Sequence, residues 1–147
     1  MSEALSERNR ALVDRYFEMM TGGDPEIGSL LAEDVRWLAP QSSPIGRVHE
    51  GKAAVLELMG SGVGLYDSSV PMQIDRTATA ATDDQVFVEM TISGQSKQGE
   101  AYRNHYVMVF DIRAGLIAEV REHLDTLYAQ RILFDPVGWA SPLDRAD

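Results

Sequence analysis

The chain has no cysteine. That excludes a disulfide frame and a thiol nucleophile, and it fits a reducing, cytoplasmic setting. Basic residues are scarce: 13 Lys and Arg stand against 23 Asp and Glu, a net charge of −10. Nucleic acids and anionic membrane surfaces need cationic partners, so neither is an expected partner. Long hydrophobic runs are missing too. The opening MSEALSERNR holds no apolar leader segment, and no later run reaches the length of a membrane span. There is no Gly-rich phosphate loop, no Cys/His cluster, no Ser-His-Asp order and no internal repeat. Histidine is limited to His49, His105 and His123. A metal site would want a further ligand and outer partners, so no metal and no cofactor is expected.

What is present describes one globular domain. Hydrophobic residues make up 44% of 147 positions, enough for a single core and too few for two. The unit spans residues 1–147, with a core over about 8–133 and a tail from 135 to 147. Leu5, Leu12, Val13, Tyr16, Phe17 and Met20 mark one stripe of a helix from about Ser6 to Met20, ended by Gly22-Gly23. Asp24-Pro25 reads as the cap and first position of a second helix. Val35, Trp37 and Leu38 form a short strand stopped by Pro40. Residues 39–50 read as a loop suited to a pocket lid or rim. Gly51 to Met59 is a third helix, and Gly60, Gly62 and Gly64 make a flexible, hinge-like stretch.

The pattern then changes to period two. Met72 to Ala80 forms one strand. The next carries Val86, Val88, Met90 and Ile92 on one face and Phe87, Glu89 and Thr91 on the other. Tyr102 to Asp125 alternates like a hairpin about Arg113-Ala114-Gly115. Tyr102, Asn104, Tyr106, Met108 and Phe110 share a face; Arg103, His105, Val107 and Val109 share the opposite one. Pairing Ile112 with Leu116 sets Met108 opposite Val120, Tyr106 opposite Glu122 and Asn104 opposite Leu124. The same register sets His105 opposite His123 and Arg103 opposite Asp125. Asp125-Thr126 caps a last short helix, Leu127 to Phe134. Helices first and strands after give an α+β class: three N-terminal helices on a curved antiparallel sheet, enclosing an apolar pocket.

One hairpin face thus carries Asn104, Tyr106 and Glu122 among apolar neighbours. Two readings of Glu122 stand. It is a desolvated carboxylate of raised pKa, suited to proton transfer, or an edge carboxylate in water or paired with an Arg. Tyr16 is a hydroxyl donor or a core tyrosine. The residues expected to touch a small molecule are Trp37, Phe87, Asn104, Tyr106, Met108 and Val120. Arg103, His105, Arg121 and His123 read as a salt-bridged outer surface.

The succession of helix, GGD turn, short helix, AEDVRW, loop, EGKAAV, YRNHYVMVF and GLIAEVREHLDT resembles the SnoaL-like proteins of the nuclear-transport-factor-2-like (NTF2-like) superfamily. That superfamily also holds ketosteroid isomerase and limonene epoxide hydrolase. The resemblance covers about residues 8 to 133 and implies their cystatin-like cone. Likeness to ketosteroid isomerase implies a hydroxyl donor at Tyr16, in Arg15-Tyr16 before Gly23-Asp24, and a second donor near Tyr106. The place of that enzyme's base falls on Ala39 or Pro40, which cannot take a proton, so steroid isomerisation of that kind is not expected. Likeness to limonene epoxide hydrolase implies acids at Glu122 and near Glu89, but its linking arginine falls at Phe87. Likeness to the SnoaL-type cyclases implies cofactor-free acid/base work by Glu122 or Glu89, with Tyr16, Asn104 and Tyr106 polarising a carbonyl. The fold alone assigns no chemistry. Two function classes follow. One is a cofactor-independent isomerase, cyclase or epoxide-hydrolase-like enzyme acting on a small apolar polyketide-, steroid- or terpenoid-like molecule. The other is a non-catalytic ligand-binding or dimerisation module, with Val86, Val88, Met90, Val107 and Val109 as the outer apolar face. A homodimer is expected under both.

Overall fold

The computed structural model describes residues 2 to 144; Met1 and residues 145–147 of the expected single unit lie outside them. Helix α1 runs Ser2–Thr21. Val13, Tyr16 and Phe17 from its apolar stripe are fully buried, while Leu5 at its start stays exposed. The helix ends where Gly23 turns to φ +64 and the Asp24 amide bonds back to the Met19 carbonyl at 2.9 Å, a left-handed stop that glycine allows. Asp24 then caps the next segment, its carboxylate accepting from the Glu26 amide at 2.9 Å. That segment, Pro25–Leu30, is a tight 3-10 turn and not the expected second α-helix. Strand β1 follows at once, Leu31–Leu38.

The 39–50 stretch is not all loop. Val48–Glu50 forms a short strand β2 against the end of β1. Helix α2, Lys52–Val63, continues past its expected end. Gly60 and Gly62 are its last turn and not a hinge. A Cβ on either would meet nothing within 4 Å, because both glycines border open cavity space.

Four long strands complete the sheet: β3 Gln73–Ala81, β4 Gln85–Gln95, β5 Ala101–Arg113 and β6 Leu116–Leu124. The strand order is β2-β1-β6-β5-β4-β3. The sheet is mixed and not wholly antiparallel, since β1 lies parallel to β6. The hairpin register also differs from the expected one. Met108 faces Glu122, Tyr106 faces Leu124 and Phe110 faces Val120, a shift of two residues that leaves every side chain on its expected face. The cause is a tight turn at Ala114-Gly115, both at positive φ (53 and 75), together with a register slip between Asp111 and Ile112. His123 therefore meets Val107, and His105 sits opposite Thr91 on β4. A further slip between Arg76 and Ala78 on β3 adds local twist and curls the sheet.

The concave face is the core. Tyr16, Phe17 and Phe110 meet edge-on, with centroids 5.2, 5.4 and 5.8 Å apart, a favourable quadrupole arrangement. Val86, Val88 and Met90 point into this core and are buried. They cannot form the outer dimer face expected of them; period two separates two faces without saying which one a helix will cover. The convex face carries Phe87 and Val107, both partly exposed, with Val109 nearly buried. Ion pairs run across it: Arg36 reaches Glu50 and Glu119, and Arg121 reaches Glu119 and Asp111. The Arg121 guanidinium holds the Asp111 carboxyl below its ordinary value.

The C-terminal helical run begins with α3, Thr126–Ala129, whose cap Asp125 accepts from the Tyr128 amide at 3.1 Å. It continues as a wider π turn, Gln130–Phe134. The tail then folds back. Trp139 stacks on Phe134 and the Ser141 hydroxyl donates to the Ser42 carbonyl at 2.8 Å, tying the tail to the 39–47 loop.

A left-handed Ala costs about 1–2 kcal/mol, and glycine returns part of that gain as chain entropy. Ala114→Gly is therefore expected to stabilise the protein by about 0.5–1 kcal/mol in urea denaturation. No gain would mean that the turn relaxes.

Candidate functional site

Between α1, α2, the concave sheet and the C-terminal helical run lies a cavity of about 460 Å³. Its wall is largely apolar. Six of the seven methionines line it: Met19, Met20, Met59, Met72, Met90 and Met108. Unbranched thioether chains reshape cheaply, so this wall adapts to a ligand more readily than one of Val or Ile.

The polar groups in the wall are few. Glu122 comes from β6 and stands opposite Met108 of β5. Trp37 of β1 lies opposite Val120, two residues earlier on the same face of β6, so its indole reaches toward Glu122. The Glu122 side chain keeps partial accessibility because it faces the lumen. Protein nevertheless surrounds it closely enough that desolvation raises its pKa from 4.5 to about 7. The Trp37 indole N–H is the one opposing influence, favouring the charged form. That N–H is buried and falls short of full hydrogen-bond geometry with any partner among the described residues, so its approach to Glu122 is a loose polar contact. A carboxyl near pKa 7 is half-protonated at neutral pH and can serve as acid or base.

Three tyrosines also border the cavity. Tyr16 on α1 is fully buried, and its hydroxyl meets the Met59 sulfur at 4.0 Å, a weak acceptor. Burial first, and then the Glu122 charge, pushes its pKa up. Tyr106 on β5 is raised by the same desolvation, with Tyr66, Tyr102 and Glu122 adding to it. Tyr66 lies over Gly94, where a Cβ would come within 2.8 Å of its ring; only glycine leaves room for it there. Behind this wall Tyr102 bonds Tyr106, hydroxyl to hydroxyl, at 2.6 Å. These phenols stay protonated and are donors, not bases.

Of the residues singled out from the sequence, Tyr16, Trp37, Tyr106, Met108 and Glu122 come together on the cavity wall. Four others do not. Glu89 and Phe87 lie on the convex face, because β4 turns Val86, Val88 and Met90 inward. Glu89 there accepts from the Thr77 hydroxyl and faces His105 at 3.9 Å, so it is no partner for Glu122. Val120 is fully buried beneath the wall. Asn104 is buried behind it, bonded to Tyr102, Asp125 and His105. Tyr66 and Tyr102 were not singled out. Tyr102 shares the strand face of Tyr106, a usable signal; Tyr66, beyond a glycine-rich turn, has none. Among the described residues no three His, Asp or Glu side chains gather as a metal site, and no helix is long and apolar enough to cross a membrane.

A helix-covered curved sheet with a desolvated carboxylate inside an apolar cone defines an NTF2-like α+β protein. Residues 13–120 match the SnoaL-like domain family, and the chain belongs to it. No curated protein sequence matches significantly. Solved structures do. An NTF2-like protein of Burkholderia xenovorans superposes with a TM-score of 0.73 at 23% identity, covering 87% of this chain and 97% of that one. A candidate polyketide cyclase of Xanthomonas campestris gives 0.75 at 21%, covering 88% and 98%. A candidate ketosteroid isomerase of Kribbella flavida gives 0.65 at 26%, covering 82% and 79%.

The Glu122 pKa has a stability consequence. Unfolded, the group releases its proton near 4.5; folded, near 7. Between these values the folded state holds the extra proton, so stability falls as pH rises and the loss is complete above 7. Glu122→Gln should therefore be more stable than the native chain by roughly 3 kcal/mol above pH 8, with the difference vanishing below about pH 4. Parallel melting curves of the two proteins across that range would expose a surface-like carboxyl if the two stay equal throughout.

Proposed function

We propose that this chain binds a small apolar polyketide-, steroid- or terpenoid-like molecule in the cone and moves a proton on it without a cofactor. Glu122 is the acid/base. The observation that carries this is a desolvated carboxylate, Glu122, poised near neutral pKa in an apolar, tyrosine-bordered wall. The ionised carboxylate removes a proton from carbon next to a carbonyl. The C–H electron pair moves into an enolate, whose oxygen takes hydrogen bonds from Tyr106 and Tyr16. Protonated Glu122 then returns the proton at another carbon, or the enolate carbon attacks a second carbonyl and closes a ring, the carbonyl π pair going to oxygen, which takes the proton back from Glu122. One carboxylate suffices for either outcome. Epoxide opening by two linked carboxylates is not favoured: Glu89 is outside, and the other carboxylate lining the cavity, Asp24, is an exposed cap that accepts from the Glu26 amide. Candidate cyclase and isomerase relatives of the same fold fit this reading.

A second reading is a ligand-holding module that pairs with a copy of itself. The partly exposed Phe87 and Val107 on the convex face favour it, and the same face would serve a homodimer of the enzyme. Light scattering that returned a 16.2 kDa particle would end the dimer proposal.

Screening enolisable ketones and diketones by loss of α-deuterium tests the main reading. We expect exchange in the native protein. Glu122→Gln should lower it at least ~100-fold, the usual scale of a lost acid/base group, with the fold intact. Equal exchange by the two proteins would remove Glu122 from catalysis.

A further inference from the structure

Two side chains that the proposed proton transfer does not use, Asn104 and Tyr102, stand in a line behind Tyr106 and the cavity wall. The Asn104 amide is held from two sides by backbone. Its Oδ1 accepts from the His105 amide at 2.8 Å, and its Nδ2 donates to the Asp125 carbonyl at 3.0 Å. These contacts fix which end of the amide is which, since a flipped amide would face donor with donor and acceptor with acceptor. The second Nδ2 hydrogen therefore points at the Tyr102 oxygen, 2.8 Å away. Tyr102 is 1% exposed. Its own proton has one acceptor in reach among the described residues, the Tyr106 oxygen at 2.6 Å. A buried hydroxyl proton left unpaired is costly, so it goes there. Tyr106 accepts at the back, so its own proton turns to the lumen side, where the neutral Tyr66 hydroxyl is a weaker acceptor than an anionic ligand would be.

We propose that Asn104 is a positioning residue: through Tyr102 it sets the direction of the hydrogen-bond chain, so that Tyr106 presents a donor to the cavity and selects ligands with an anionic or enolic acceptor oxygen. The ligand class is an enolate or phenolate on an apolar ring body. Each bond in such a chain polarises the next, and a charged acceptor at its end gains most. This deepens the reading of the cone as a proton-transfer site, because an enolate is what that reaction makes. It is tested by binding alone, so its failure and the failure of Glu122 catalysis are separate outcomes.

The probes are 4-nitrophenolate and its neutral methyl ether, 4-nitroanisole, titrated in the Glu122→Gln background so that no carboxylate repels the anion. We expect the phenolate to bind at least ~10-fold tighter than the ether, with its absorption band shifted to shorter wavelength by the donated bond. Adding Tyr106→Phe should remove both the preference and the shift. Adding Tyr102→Phe or Asn104→Leu should each lower phenolate affinity by about 3–10-fold with the ether unchanged. The double variant should be no weaker than Tyr102→Phe alone, because the two act on one chain. If Asn104→Leu does not fold, Tyr102→Phe carries the test. Equal losses for phenolate and ether, an unshifted band, or additive effects of the two would reduce Asn104 to a structural brace and overturn the proposal. So would native-like phenolate affinity in Tyr102→Phe.

Discussion

Glu122 sits between Met108 and Trp37 on the concave face, with no cation against it among the described residues. Water would solvate its charge; the apolar wall does not. The proton therefore stays on it until near neutral pH. Much of the interior chemistry follows from this one desolvated group. Burial pushes up the neighbouring phenols, and the Glu122 charge adds to that. The Trp37 N–H offers it partial compensation. The Arg36–Glu119 and Arg121–Asp111 ion pairs, by contrast, lie across the convex face, where solvent screens them and each contributes little. The molecule keeps its charges outside and one reluctant acid inside.

The sheet makes this possible by its order. β1 enters parallel beside β6, which carries Trp37 to the carboxylate. β5 lies on the other flank of β6 and supplies Met108 and Tyr106. Register slips on β3 and in the β5–β6 hairpin curl the strands, so the concave side encloses a cavity rather than packing flat on α1. The Tyr16–Phe17–Phe110 cluster closes one side of that space. Leu133 and Phe134 of the C-terminal helical run close another, and the tail braces them through the Phe134–Trp139 stack and the Ser141–Ser42 bond. A second groove of about 680 Å³ lies outside, and Ile45 and Leu58 border both spaces.

Several parts were readable from local pattern because local physics decides them. The α1 stripe, the Gly22-Gly23 stop, the Asp24 and Asp125 caps and the hairpin faces depend on neighbours a few residues away. The faces of β5 survived even a two-residue error in register, since alternation has period two. Other parts were not readable. On β4 the pattern offers an apolar row, Val86, Val88 and Met90, and a mixed row, Phe87 and Glu89. A dimer face and a core face look alike in such a row; the packing of α1 selects the core. Glu89 leaves the site for that reason alone. Gly60 and Gly62 look like a hinge by composition, yet they finish a helix beside empty space.

The sequence by itself determined an acidic, cysteine-free α+β domain, its hairpin, the α1 stop, the Asp24 and Asp125 caps and the face on which Glu122 and Tyr106 stand. Those follow from charge, periodicity and capping, which act over short distances along the chain. Tertiary structure alone decided that β1 runs parallel to β6, that Trp37 meets Glu122, that Glu89 does not, and that Asn104 and Tyr102 stand behind Tyr106. Those depend on which strands become neighbours and how far the sheet curls. The pKa of Glu122 belongs with them: a carboxylate's charge is cheap or costly according to what encloses it, and enclosure is a property of the whole fold.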